Sequence, residues 1–187
     1  MRFVVAASAL ALAASAAAQA SLVVDSLHTG ITFEMGALGI ALQRGSFART
    51  AGRIVLDRAA KTGSIDVAID AGSLKAGSAA REAQLKGDAW LDVARYSSIA
   101  FRSTRLVFDG GRVVGADGEL TLHGVTRPVS LEVTAFRCID VHPLTRKPAC
   151  GAEATATIRR SDYGLLADLA TLADGVSVRV AIEALQE

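Results

Sequence analysis

Aromatic side chains make up only 5% of this 187-residue chain, which holds three histidines, three prolines, two cysteines and two methionines. Each scarcity excludes something. The histidines, His28, His123 and His142, are scattered, with neither H-x-H nor H-E-x-x-H spacing, so the sequence supports no metal centre. There is no G-x-S-x-G nucleophile motif and no glycine-rich phosphate cradle ahead of a helix. An excess of either charge is also lacking: 20 basic residues face 19 acidic ones, so binding to nucleic acid through counterion release is not expected. Asp66 and Asp70 occupy alternate polar positions of a strand and read as a solvated face rather than an acid pair for catalysis.

Long apolar runs are absent after the first twenty residues, MRFVVAASALALAASAAAQA. That stretch has Arg2, a short apolar core from Phe3 to Leu12, and Ala18-Gln19-Ala20 before Ser21, the pattern of a cleaved secretory leader. An anchoring helix is the weaker reading, because an alanine-dominated run holds poorly in a bilayer. The expected organisation is a leader over residues 1–20 and one domain over residues 21–187. With Arg2 removed, basic and acidic residues balance at 19 each, and an anionic membrane surface is not a favoured partner. Export places the two cysteines, Cys138 and Cys150, in an oxidising compartment, where an even pair flanking a loop between strand-like runs reads as a disulfide. A metal site on Cys138, His142 and Cys150 is the alternative; it needs a fourth ligand and lacks C-x-x-C spacing.

What the chain does have is period two. SIDVAID sets Ile65, Val67 and Ile69 against Asp66, Ala68 and Asp70. SIAFRSTRLVF sets Ile99, Phe101, Ser103 and Val107 against Arg102 and Thr104, and VSVRVAIEAL sets Val176, Val178, Val180 and Ile182 against Ser177, Arg179 and Glu183. Such alternation marks antiparallel strands with one apolar face. Turn signals at Gly45, Thr62-Gly63, Asp109-Gly110-Gly111, Asp117-Gly118, His123-Gly124 and Asp174-Gly175 separate the runs. The expected fold is all-β, an antiparallel barrel whose closure removes exposed edges, with one or two short helices. Residues 78–93 predict a helix of two to three turns, N-capped by Ser78, with Trp90 tucked against the barrel. MGALGIAL, residues 35–42, predicts a second helical turn. In GELTLHGVTRPVSLEV, the stretch from His123 to Pro128 connects two strands as a hairpin turn, with Pro128 at a strand start or edge and His123 solvated.

Three stretches carry a family resemblance: Leu120-Thr121-Leu122-His123-Gly124-Val125-Thr126-Arg127-Pro128; Arg81-Glu82 to Leu85 followed by Trp90-Leu91-Asp92-Val93; and Phe101-Arg102-Ser103-Thr104. In this order and spacing the chain resembles the YceI-like, polyisoprenoid-binding periplasmic proteins over nearly all of residues 22–184. It departs from them at Ala37-Leu38-Gly39, where a His commonly precedes Leu-Gly, and at Tyr96-Ser97, where Tyr-Pro is usual. The resemblance implies an eight-stranded lipocalin-like barrel in the periplasm, with a long apolar tunnel for an isoprenoid chain. No cofactor is obligatory; the ligand is a polyprenyl lipid or an isoprenoid quinone.

The side chains expected to contact that lipid are Phe33, Phe47, Leu56, Ile65, Val67, Ile69, Ile99, Phe101, Leu120, Leu122, Leu131, Val133, Val178 and Val180. Ile31, Ile54, Val129, Ala154 and Ala156 share their inward face. Many of these are small, which leaves room along the axis of a barrel only wide enough for one slender ligand. Arg81, Glu82 and Asp92 are expected to cap and ion-pair the helix at the barrel mouth rather than hold a headgroup. The reading is therefore a non-catalytic binder or carrier of an isoprenoid lipid, a monomer or a homodimer. The alternative is a quinone-linked electron-transfer or stress-defence accessory acting with a transient inner-membrane partner. An outer-membrane barrel is disfavoured because Arg102, Arg179, Glu132 and Glu183 fall on outward positions.

Overall fold

The computed structural model describes residues 19–187. The expected leader lies outside them apart from Gln19 and Ala20, the second of which opens the first strand. Eleven strands follow in order: β1 (Ala20–Val24), β2 (Gly30–Ala37), β3 (Ala41–Phe47), β4 (Thr50–Asp57), β5 (Thr62–Asp70), β6 (Leu74–Lys75), β7 (Ser98–Asp109), β8 (Arg112–Leu122), β9 (Val125–Ile139), β10 (Ala149–Arg159) and β11 (Leu172–Gln186). One helix, α1 (Ala79–Lys86), lies between β6 and β7, and short 3-10 turns cover Ala71–Ser73 and Arg160–Tyr163.

Every pairing is antiparallel, and the ring β1-β4-β5-β7-β8-β9-β10-β11 closes back on β1, giving the eight-stranded barrel. Two of its staves are broken. β11 pairs with β2 along Leu172–Ala181 and with β1 along Ala184–Gln186, so β1 and β2 are successive pieces of one stave. β3 and β4 make another, since β3 pairs with β2 and β4 with β1. At the β2–β3 end β6 takes up the edge of β3, and α1 follows it.

Alternation builds this wall as expected over β5 and β11, but β-bulges change the face elsewhere. Between Ser103 and Arg105 the register against β8 slips by one residue, so Leu106 turns inward and is buried, while Val107, expected on the inner face, does not join the interior. A second slip, opposite Glu153 and Ala154 of β10, moves β9 from Val133 to Phe136 on the inner face. A local period cannot anticipate an inserted residue.

Two turn readings need correction. Residues 35–42 form no helix: Ala37 pairs with Ala41 across a hairpin tip whose Leu38 and Gly39 have φ of 53° and 68°. The His123 hairpin is shorter than expected, for Leu122 already pairs with Val125 across His123-Gly124, both at positive φ, as a two-residue hairpin requires. Pro128 therefore lies within β9, opposite Glu119. Counting alternate pairs from the turn, its missing N–H faces away from β8, beyond the last β10 pairing at Glu132. His123 is half-buried rather than solvated: its Nδ1 lies 3.2 Å from the Tyr163 carbonyl, and its ring meets Tyr96 edge-on.

The helix is confirmed but short. Ser78 Oγ accepts from the Arg81 N–H at 3.3 Å, and Trp90 is buried beyond the C-terminus. Glu82 ion-pairs with Lys75 and Lys86, and Asp92 with Arg95, as the capping role implies. Arg81 differs: among the described residues its side chain has no carboxylate partner, and it lines a surface groove. The outer face of the barrel carries cross-strand ion pairs between directly opposed residues, Glu34–Arg44, Asp66–Arg102 and Arg105–Asp117, where a lipid-facing barrel needs an apolar band.

Two features hold the loop between β10 and β11. Arg160, 3% exposed, donates from its guanidinium to the carbonyls of Ala173, Leu165, Ala167 and Leu172, and lies over the Trp90 ring. Burial lowers its pKa, and four carbonyl dipoles replace the missing carboxylate. Asp174 accepts from the Ser161 N–H, the Ser161 hydroxyl and Arg159 Nε at 2.8–2.9 Å, and these bonds hold its pKa down to about 2. Cys138 and Cys150 face each other across β9 and β10 and form the expected disulfide.

Replacing both cysteines by alanine should lower the unfolding free energy by about 2–3 kcal/mol in urea titrations, the stabilisation ordinary for so short a loop. Arg160→Met takes the donor from one buried and three part-buried carbonyls; with an unsatisfied buried carbonyl costing about 1–3 kcal/mol, the variant should lose at least about 1 kcal/mol by the same measurement. Because the folded pKa of Asp174 is depressed from 3.8 to about 2, its contribution is present in full above the unfolded value and disappears as pH falls between them. Asp174→Asn should thus be less stable than wild type at pH 7, with the difference shrinking to nothing between pH 4 and 2.

Candidate functional site: an apolar channel along the barrel axis

The inward faces enclose two adjoining chambers. The first, about 140 Å³, is walled by side chains such as Leu22, Leu56, Phe101, Leu106, Val113, Leu131 and Phe136. The second, also about 140 Å³, lies under α1 and is walled by Phe33, Met35, Phe47, Leu85, Trp90, Ile99 and Leu122, among others. Ile31, Ile69, Leu120, Ile158 and Val178 border both, so the chambers run in line. Each is about the size of an engineered cavity of ~150 Å³ that stays dry and binds benzene.

The space has a source in the sequence. β10 alternates without a slip, and sends Cys150, Ala152, Ala154, Ala156 and Ile158 to the first chamber, with Ala116 of β8 beside them. Alanine on so many inward positions leaves a void that branched side chains would fill. The lining is apolar throughout. Arg160 borders the second chamber, but four of its five N–H groups point to backbone carbonyls.

The second chamber meets the surface at one side. Phe33, Met35, Leu85 and Trp90 also line a groove of about 220 Å³, whose rim carries Gln43, Arg44, Arg81, Gln84, Asp168 and Thr171. Polar groups thus begin where the channel ends. Beyond the groove, the tip of the β2–β3 hairpin presents Leu38 and Ile40, 68% and 87% exposed, held against the 164–171 loop by the Leu38 N–H on the Thr171 carbonyl at 2.7 Å.

All fourteen side chains expected to contact a lipid border one chamber or the other. Leu56, Ile65, Val67, Phe101, Leu131, Val133 and Val180 line the first; Phe33, Phe47, Ile99 and Leu122 the second; Ile69, Leu120 and Val178 both. Sequence reasoning missed Leu106, Val113 and Phe136, which lie beyond bulges, and Met35, Leu85, Leu91 and Leu165, which reach the chamber from the β2 end, the helical segment and a loop. The amphipathic break at residues 78–93 was the one signal that could have found any of them.

The YceI-like domain model matches residues 22–184. The chain is 34% identical to a UPF0312 protein of Vibrio campbellii, over 56% of this chain and 56% of that one. It is 30% identical to the UPF0312 protein Ent638_1570 of Enterobacter sp. strain 638, over 86% of this chain and 82% of the relative. A polyisoprenoid-binding domain from Saccharophagus degradans, implicated in plant cell wall breakdown, superposes with a TM-score of 0.67 at 19% identity, covering 91% of this chain and all of that one. A family match over nearly the whole barrel, with this closed sheet and its axial channel, makes the chain a member of the YceI-like family.

Proposed function

We propose that the protein binds and carries an isoprenoid lipid, a polyprenyl chain or the tail of a quinone, without catalysing a reaction on it. The observation that carries this reading is the pair of in-line apolar chambers with a polar-rimmed groove beside the second. A hydrocarbon tail gains about 0.8 kcal/mol per CH₂ taken out of water, so a slender chain lying along both chambers would be held strongly. A headgroup meets an almost wholly apolar lining inside and would stay at the rim, near Gln43, Arg44, Arg81 and Gln84. The family and the polyisoprenoid-binding neighbour support a lipid ligand. The expected leader supports an exported, periplasmic setting, where such a carrier could move a water-insoluble chain.

Organic extraction of protein purified from its native host, followed by mass spectrometry, should yield one long-chain isoprenoid per polypeptide. Recovery of a quinone rather than a polyprenyl would direct the reading to electron transfer. Recovery of neither, with no uptake of added polyprenol, would overturn it. Ala154→Phe fills the first chamber and should weaken polyprenol binding at least tenfold, at an overpacking cost of about 1–3 kcal/mol in stability.

A further inference from the structure

The end of the barrel where the groove opens carries two adjacent loops of unusual composition. One is the tip of the β2–β3 hairpin, GALGIALQ over residues 36–43, and the other is GLLADLAT over residues 164–171. Asp168 is the only charged residue in either stretch, and neither holds an aromatic side chain. Of the nine large apolar side chains exposed among the described residues, five stand on these loops: Leu38, Ile40 and Leu42 at 68%, 87% and 50%, and Leu166 and Leu169 at 60% and 39%.

Both loops are fixed to the barrel and to each other. The Leu38 N–H donates to the Thr171 carbonyl at 2.7 Å, Leu172 pairs with Ala37, and the N–H groups of Thr171 and Leu172 both donate to the Asp168 carbonyl. The tips therefore project together. Holding several aliphatic side chains in water at one place costs free energy, and such a cluster marks a surface that a partner covers.

Position, chemistry and charge identify that partner. Gln43 and Arg44, at the foot of the first loop, and Asp168 and Thr171, in the second, rim the groove beside the second chamber, whereas none of the five exposed side chains lines either chamber. The tips thus flank the mouth without forming the channel. They lack the Trp, Tyr and Arg that anchor protein interfaces, and Leu38 and Ile40 crown a hairpin tip rather than line a groove. A fluid hydrocarbon layer accepts such separate aliphatic points without shape complementarity. Behind the tips both signs of charge occur, with Arg44 Nε on Glu34 Oε1 at 2.9 Å and with Arg81 and Asp168 on the rim. That balance fits zwitterionic headgroups and gives no preference for anionic ones.

We propose that the two loop tips insert their leucine and isoleucine side chains into the surface of a zwitterionic phospholipid bilayer, setting the channel mouth against it so that the isoprenoid chain passes between bilayer and barrel without crossing water. The purpose of the contact rests on the lipid-carrier reading, while the insertion is measured without that ligand. Few side chains take part and net electrostatic attraction is absent, so the contact is reversible and indifferent to salt.

The test uses the purified, oxidised protein and vesicles of phosphatidylcholine, with or without phosphatidylglycerol. Wild type should float with phosphatidylcholine vesicles, equally at low and high salt. Two double variants remove the tips: Leu38→Asn with Ile40→Gln, since Asn tolerates the positive φ at position 38, and Leu166→Ser with Leu169→Ser. Each should lower vesicle partitioning at least tenfold, about the effect of losing one immersed aliphatic side chain. Leu144→Ser, at an exposed leucine in the disulfide loop at the opposite end of the barrel, should change nothing. Both double variants should melt like wild type and take up polyprenol from detergent normally, but take it up from vesicles at least tenfold more slowly. Failure of wild type to bind vesicles, binding only when phosphatidylglycerol is present, or vesicle binding and uptake that both double variants retain would overturn the proposal. So would a wild-type dimer that both double variants split in sedimentation, because the tips would then cover a second copy of the chain. Vesicle binding by a protein that takes up no polyprenol from either source would uphold the docking surface and overturn the carrier reading instead.

Discussion

Closure of the sheet at the short β1–β11 seam is the constraint on which the rest depends. Three residue pairs join two chain segments from opposite ends of the domain, whereas β10 and β11 run together over eleven positions. If that seam opened, the backbone groups of both strands would become edges and the apolar interior would be wetted from one side. Arg53 of β4 and Ser21 of β1 both bond the Glu187 carboxylate, and the side chains around Asp25 and Glu183 gather at the other end of the seam. Polar contacts thus flank the closure outside while Leu22, Val24 and Ala184 pack within it.

Once the ring is closed, its interior is decided by side-chain volume. Two apolar clusters stack along the axis, one around Phe101 and Leu106 and the other around Phe47, Ile99 and Tyr163. Neither fills the cylinder, because β10 supplies alanines where neighbouring strands supply leucine, isoleucine or phenylalanine. The second cluster also lacks a complete wall of strands: β3 pairs with the two-residue β6 there, and Leu85, Trp90 and Leu91 cover the space. Arg160 then holds the 164–173 backbone over Trp90 by donating to four of its carbonyls, one of them buried and three part-buried. The channel and its mouth therefore follow from the same departures from regular barrel geometry.

Much of the wall was legible from alternation alone, since Ile65, Val67 and Ile69, or Val176, Val178 and Val180, repeat a period that has only one physical meaning in a one-sided sheet. The period failed at Val107 and before Phe136, where one extra residue reverses the faces and leaves no trace in local composition. A different expectation failed at residues 35–42, where the predicted helical turn is a hairpin tip that exposes Leu38 and Ile40. Arg81 was legible as a helix residue but not as a groove residue, because its partners come from β2, β3 and the 164–171 loop.

By itself the sequence determined the alternating one-sided strands, the cysteine pair, a turn signal at His123-Gly124 and the small, greasy character of the inner face, because each rests on residues that are neighbours in the chain. Only the tertiary structure decided where the chambers open, which carbonyls Arg160 satisfies, and that His28 and His142 meet the same Glu183. Those outcomes depend on which strands lie side by side after the ring closes, and spacing along the chain carries no record of distance across a barrel.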